Sequence, residues 1–98
     1  MIRNVVVGRV RPGTPADDVE RALQALRDLT VDGVEIHMVS GQDAGLREGN
    51  ASYAITVDLA DEEAYRVYDA DAEHNRIRRE MFAPISVSIE RVQFHLPG

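Results

Sequence analysis

Residues 61–85 read DEEAYRVYDADAEHNRIRREMFAPI, and this stretch holds most of the side chains of the chain that can do chemistry. It predicts two short helices in tandem, broken around Asp69-Ala70-Asp71. An aspartate at a helix start accepts hydrogen bonds from free backbone N–H groups, so Asp61 is expected to cap the first helix and Asp71 the second. Tyr65 and Tyr68 fall on the first helix, and His74 begins the second. Ile77 and Met81 lie three and seven residues beyond His74, a spacing that places all three on one helical face. Phe82 completes the buried side before Pro84 stops the helix.

Working outward, residues 52–59 alternate Tyr53, Ile55, Val57 and Leu59 with Ser52, Ala54, Thr56 and Asp58, the pattern of a strand with one buried face. On the other side, Ile85, Val87 and Ile89 alternate in one phase and Val92, Phe94 and Leu96 in the opposite one. That predicts a last strand whose register slips through a bulge near Glu90-Arg91. A further strand is predicted over residues 34–40 after the Asp32-Gly33 turn, with His37 on its more polar face. The segment GQDAGLREG, residues 41–49, has three glycines and no periodicity, and reads as a mobile connection able to act as a rim or lid. Residues 2–11 form the first strand, apolar on both faces, which Pro12-Gly13 ends. Thr14 is expected to cap the helix that follows and Pro15 to take its first position. Val19, Ala22, Leu23, Leu26 and Leu29 recur at helical spacing and extend that helix to about Leu29.

The resulting order is strand, helix, strand, strand, helix pair, strand. Right-handed crossovers turn it into an α+β ferredoxin-like domain spanning residues 1–98, a four-stranded antiparallel sheet with helices on one face. Val5, Val7, Val39 and part of the last strand would then leave an apolar patch on the bare face. The expectation is a homodimer pairing sheet to sheet, a dimeric α+β barrel.

Composition removes several classes of function. Eleven basic residues against 17 acidic ones give a net charge of −6, and no basic run is denser than Arg76, Arg78 and Arg79, so a nucleic-acid partner is not expected. Those arginines are expected to pair with the acids of the same stretch. No apolar run is long enough for a membrane span or a signal sequence, and a cytoplasmic location is expected. The chain has no cysteine, so thiol chemistry is excluded. His37, His74 and His95 show no metal-ligand spacing, and residues 41–49 lack the lysine of a phosphate loop, so neither a metal nor a cofactor is expected.

The opening IRNVVVGRVRPGT, the GQD after the second strand and the block AYRVYDADAEHNRIRREMFAPI resemble, in that order and over nearly the whole chain, the stress-responsive A/B barrel domain (Dabb) proteins. The resemblance implies a dimeric barrel with a cleft between helices and sheet in each subunit. It also implies, from the cofactor-free polyketide cyclases of that family, that His74 and Tyr68 occupy the positions that act on a linear polyketone. Where the cyclase pattern has histidines in the first strand and near the start of the third, this chain has Asn4 and Tyr53.

Two physical roles are open to these side chains. A neutral His74 near a helix start can accept a proton, and Tyr68 can donate a hydrogen bond to a carbonyl oxygen as it becomes an enolate. Asn4, Tyr53, Tyr65, Ile77, Met81 and Phe82 would then shape a substrate cleft for a small carbonyl-rich or phenolic compound, in an enzyme or in a binding module without catalysis. In the other role, His74 is a capped, half-buried histidine bonded to the helix start or to Asn4, and the tyrosines are core aromatics.

Overall fold

The strand β1, Ile2–Val10, is the spine of the domain, and a computed structural model describes residues 1–97 around it. It pairs antiparallel with β3 (Tyr53–Leu59) on one side and β4 (Ser86–His95) on the other, while β2 (His37–Gln42) pairs with β3, giving the sheet order β2-β3-β1-β4. The helix α1 (Ala16–Arg27) joins β1 to β2. The helices α2 (Glu62–Ala70) and α3 (Ala72–Ile77), with a π-helical turn at Arg78–Phe82, join β3 to β4. This is the ferredoxin-like arrangement.

The core lies between the helices and one face of the sheet. Ile55, Val57 and Leu59 of β3 and Val19, Ala22, Leu23 and Leu26 of α1 are all buried there, as their alternation and helical spacing require. The opposite sheet face is bare. Val7, Val39, Val92 and Phe94 stand exposed on it, with Val39 at 75%. Arg3 and Asp58, paired across β1 and β3, close one part of that face with a two-pronged ion pair at 2.7 and 2.8 Å.

Several local expectations are corrected. Thr14 does not cap α1, because its hydroxyl donates to the Arg11 carbonyl at 2.7 Å and so closes the preceding turn; Pro15 is the capping residue, and no side chain serves the helix start. The helix ends at Arg27, whose guanidinium reaches the hydroxyl and carbonyl of Ser40 on β2. The second strand starts at His37, three residues later than the alternation suggests, because Val34 is tied back to Val31 in a tight bridge. Gly41 and Gln42 belong to that strand, and the loop beyond it is tied by Asn50 to Asp43 and by Arg9 to the carbonyls of Gly49 and Asn50.

The last strand differs most. Its pairing with β1 is continuous from Ile2–His95 to Arg9–Ser88, and the irregularity falls between Arg9 and Val10, where Val10 pairs with Ser86. The extra residue is therefore Val87, not one near Glu90-Arg91. The apolar residues change phase for another reason: Val92 and Phe94 lie on the bare face, while Ile89, Arg91 and Gln93 share the face under the helices. The bulge also turns Ser86 inward, where it is buried.

Candidate functional site

A cavity of about 500 Å³ lies between the sheet and the helix pair. Its floor is Asn4 and Val6 of β1, Tyr53 and Ile55 of β3, and Ile89 and Arg91 of β4. Its roof is Tyr65, Tyr68 and Asp69 of α2, His74 and Asn75 of α3, and Arg78, Arg79 and Phe82 of the π-helical turn, with Leu26 and Ala83 at the margins. The bond from the Ala83 N–H to the Arg78 carbonyl, 2.9 Å, closes the π turn. The single helix expected through Phe82 is thus widened at its C-terminal end, where it forms part of the roof.

His74 is held from both sides of the helix break. The Asp71 carboxylate accepts its backbone N–H at 2.9 Å. Its ring lies 3.0 Å, through Nδ1, from the Tyr68 carbonyl and stacks on the Tyr68 ring at a centroid distance of 4.2 Å. A carbonyl only accepts, so Nδ1 carries the hydrogen and Nε2 of the neutral ring holds the lone pair. Among the described residues no side-chain nitrogen or oxygen is both buried and unpartnered. Nε2 has no hydrogen-bond partner among these residues and so is not sealed from solvent, and its ring lines the cavity; the same holds for the Tyr68 hydroxyl and the Asn4 amide nitrogen and their side chains. A proton acceptor, a hydroxyl donor and an amide donor thus belong to residues that line one space.

Burial keeps this set neutral. It pushes the His74 imidazolium below its ordinary range, reinforced by the nearby Arg78 guanidinium and opposed by the bond to Tyr68. Burial is the largest cause. It also raises the Tyr68 phenol well above its usual value, so the hydroxyl keeps its hydrogen as a donor.

Of the residues singled out in the sequence, His74, Tyr68, Asn4, Tyr53, Tyr65 and Phe82 meet at this cavity. Ile77 and Met81 do not. Ile77 is only 2% exposed within the core, and Met81 packs against the core from its edge, because the two side chains point under the helix rather than across the cleft. Asn4 does not orient His74 either; its carbonyl oxygen accepts from Gln93 at 2.7 Å. Tyr53 lies against Phe82 at 5.4 Å between centroids, and its hydroxyl meets that of Ser86 at 2.9 Å. Both rings flank the cavity without filling it. The residues 41–49 are absent from its wall, so they form no rim there. Arg91, Gln93 and Ser86 were missed; the first two become visible once Ile89 is taken as the inward residue and the strand is followed at intervals of two, whereas Ser86 turns inward only through the bulge at Val87. No group of three or more metal-ligating side chains is found among the described residues.

Solved structures share this architecture. A dimeric ferredoxin-like protein of unknown function from Thermobifida fusca superposes with a TM-score of 0.86 at 29% identity, covering 97% of this chain and 90% of the other. A Dabb family protein with a ferredoxin-like fold from Mesorhizobium loti superposes at 0.75, with 19% identity over 99% of this chain and 97% of its own. The chain has the Dabb-type ferredoxin-like fold. The same Dabb-type frame superposes at 0.81 on a hydroxynitrile lyase from Passiflora edulis, at 13% identity, covering 98% of this chain and 93% of that one. No family model and no curated protein matches the sequence. Within this frame the cavity sits between the helix pair and the β1–β4 side of the sheet, which is where the sequence and its bulge concentrate polar groups.

Proposed function

We propose that the protein is a homodimer whose subunits each bind a small carbonyl-rich or phenolic molecule in the cavity, where His74 Nε2 removes a proton from carbon or oxygen and the Tyr68 hydroxyl stabilises the enolate or phenolate oxygen. The observation that carries this reading is the fixed tautomer of His74, with Nδ1–H committed to the Tyr68 carbonyl and Nε2 free at the cavity wall. The cavity volume suits a small aromatic compound. His37 and His95 lie outside the wall, so the reaction has one imidazole and the base must also return the proton. The lyase from Passiflora edulis supports the reading to the extent that a protein named as an enzyme shares the fold.

Proton NMR of the His74 ring tests it. The ring is expected to titrate below the ordinary histidine value of about 6.5, and its signals to shift on adding a phenolic ketone such as 2-hydroxyacetophenone. Because the folded ring resists protonation, the unfolded chain binds more protons as the pH falls through about 6.5, and stability should decline over that interval down to the depressed folded value. A ring that titrates at or above the ordinary value and ignores every phenolic ketone would sink the reading.

The dimer is proposed through the bare face. Val7, Val39, Val92 and Phe94 present an apolar surface there, and the similar protein from Thermobifida fusca is described as dimeric. Light scattering at micromolar concentration is expected to give twice the chain mass. Val92→Lys, which places two ammonium groups in a two-fold contact, is expected to give monomers that keep their folded circular-dichroism spectrum. A wild-type chain that runs as a monomer would overturn the assembly.

A further inference from the structure

The cavity wall carries charge of the sign opposite to the chain. The protein has a net charge of −6, yet the wall holds three arginines, Arg78, Arg79 and Arg91, against one acid, Asp69. Two of the arginines are engaged. Arg78 lies 3.3 Å from the Asp69 carboxylate and also donates to Asn75, and Arg79 approaches Glu80 at 3.9 Å. Arg91 makes no ion pair and no hydrogen bond among the described residues. It springs from β4, the edge strand, opposite Val6 and two residues from Ile89, both of them on the cavity floor. Arg91 is exposed at the rim of a floor whose other side chains are uncharged, and its guanidinium has no partner among the described residues. Its field reaches the Tyr53 and Tyr65 hydroxyls, where it opposes the rise that burial imposes on both phenols.

We infer that the cavity takes an anionic ligand, an aromatic or enolisable carboxylate, whose carboxylate is held by the Arg91 guanidinium at the β4 rim while the remainder of the molecule extends toward His74 and Tyr68. This rests on the reading of the cavity as a small-molecule site and specifies its substrate class. A guanidinium offers two parallel N–H donors that match a carboxylate, and the pair is stronger than a neutral bond because the acceptor is charged. Tyr65, beside the same rim, supplies a hydroxyl for the second face of the carboxylate. The placement also orients the ligand: an acid at the rim directs its carbonyl or phenol inward, where the neutral donors and the imidazole stand.

Salicylate and salicylamide separate the contribution of charge from that of shape, since they differ only in carboxylate against carboxamide. With the intact dimer at neutral pH and low salt, NMR titration is expected to show salicylate binding about tenfold or more tighter than salicylamide, with both shifting the His74 ring signals. Arg91→Gln should reduce that ratio to near unity by weakening salicylate far more than salicylamide, and Arg91→Lys should keep part of it. Rising salt should narrow the wild-type ratio. If salicylamide binds beside His74 as tightly as salicylate, or if the preference survives Arg91→Gln, the anionic class is wrong and the small-molecule site stands. If neither compound binds, both readings fall together.

Discussion

Gly8→Val is expected to destabilise the protein by about 3 kcal/mol, although valine is the better strand residue and both inward neighbours of Gly8 on β1, Val6 and Val10, are valines. The reason is the ring of Tyr53, the cross-strand partner of Gly8. A Cβ at position 8 would stand 2.1 Å from Tyr53 Cζ and 2.2 Å from its hydroxyl oxygen, far inside van der Waals contact. Glycine is needed here for space and not for its backbone freedom, since its φ is not positive. A valine must push the ring away from its place beside Phe82 and break the bond between the Tyr53 and Ser86 hydroxyls, leaving buried oxygens to find new partners. Overpacking and the lost hydrogen bond act in the same direction. For a domain of this size the loss corresponds to a fall in Tm of more than about 10 °C by thermal circular dichroism. The companion Tyr53→Ala variant loses a buried ring, but the double variant should lose much less than the sum, because the valine occupies vacated space. Additive losses, or a Gly8→Val protein that melts at or above the wild-type temperature, would show that Tyr53 does not lie over Gly8.

The same pair shows how far the sequence could be read. Alternation places Tyr53 on the inward face and Gly8 in the first strand, and both statements hold. Their partnership depends on the β1–β3 register, which no local pattern encodes. The helix pair was legible in detail because its signals are local: Asp61 and Asp71 accept hydrogen bonds from the N–H groups of Ala64 and His74, three residues ahead of each. Thr14 obeys the same rule in the sequence and breaks it in the structure, since its hydroxyl finds the Arg11 carbonyl first. The last strand was misread because periodicity reports where apolar residues lie and assumes they all face one core. Here the bare face is apolar too, so Val92 and Phe94 mark the outside, and the polar residues Arg91 and Gln93 mark the inside. The inversion occurs beside the cavity, where a sheet that lines a polar space must carry polar side chains on its covered face.

His74→Asn is expected to lower proton-transfer activity by 10²- to 10⁴-fold, the range usual for removing a general base. The reaction is solvent deuterium uptake at the carbon next to a ketone, followed by NMR in D₂O with phenylacetone. In the forward step the lone pair of Nε2 takes the proton, the C–H electron pair moves into the enolate, and the Tyr68 hydroxyl donates a hydrogen bond to its oxygen; the Nε2 proton then exchanges with D₂O, and the reverse step returns a deuteron from the ring to carbon. The rate should rise with pH and level off above the depressed pKa of His74, where the ring is neutral. Asparagine is chosen because its amide nitrogen can replace Nδ1 as donor to the Tyr68 carbonyl while nothing replaces Nε2. That matters, because the Nδ1 bond joins the end of α2 to α3 and is itself a structural contact. Alanine would remove the bond and the base together, confounding a lost fold with a lost reaction, whereas asparagine can keep the bond while removing the base and the ring stacked on Tyr68, and should cost stability by about 1–2 kcal/mol. Tyr68→Phe, which keeps the stacked ring and deletes the donor, is expected to cost about tenfold to a hundredfold in the same assay. The tie between α2 and α3 is also the observation that favours the competing reading, a binding module in which His74 only braces the helix break. That reading requires either no catalysed exchange with the wild type or an exchange rate that His74→Asn leaves intact. Either result, with the variant folded and the cavity still binding, would assign His74 to the architecture and end the case for an enzyme.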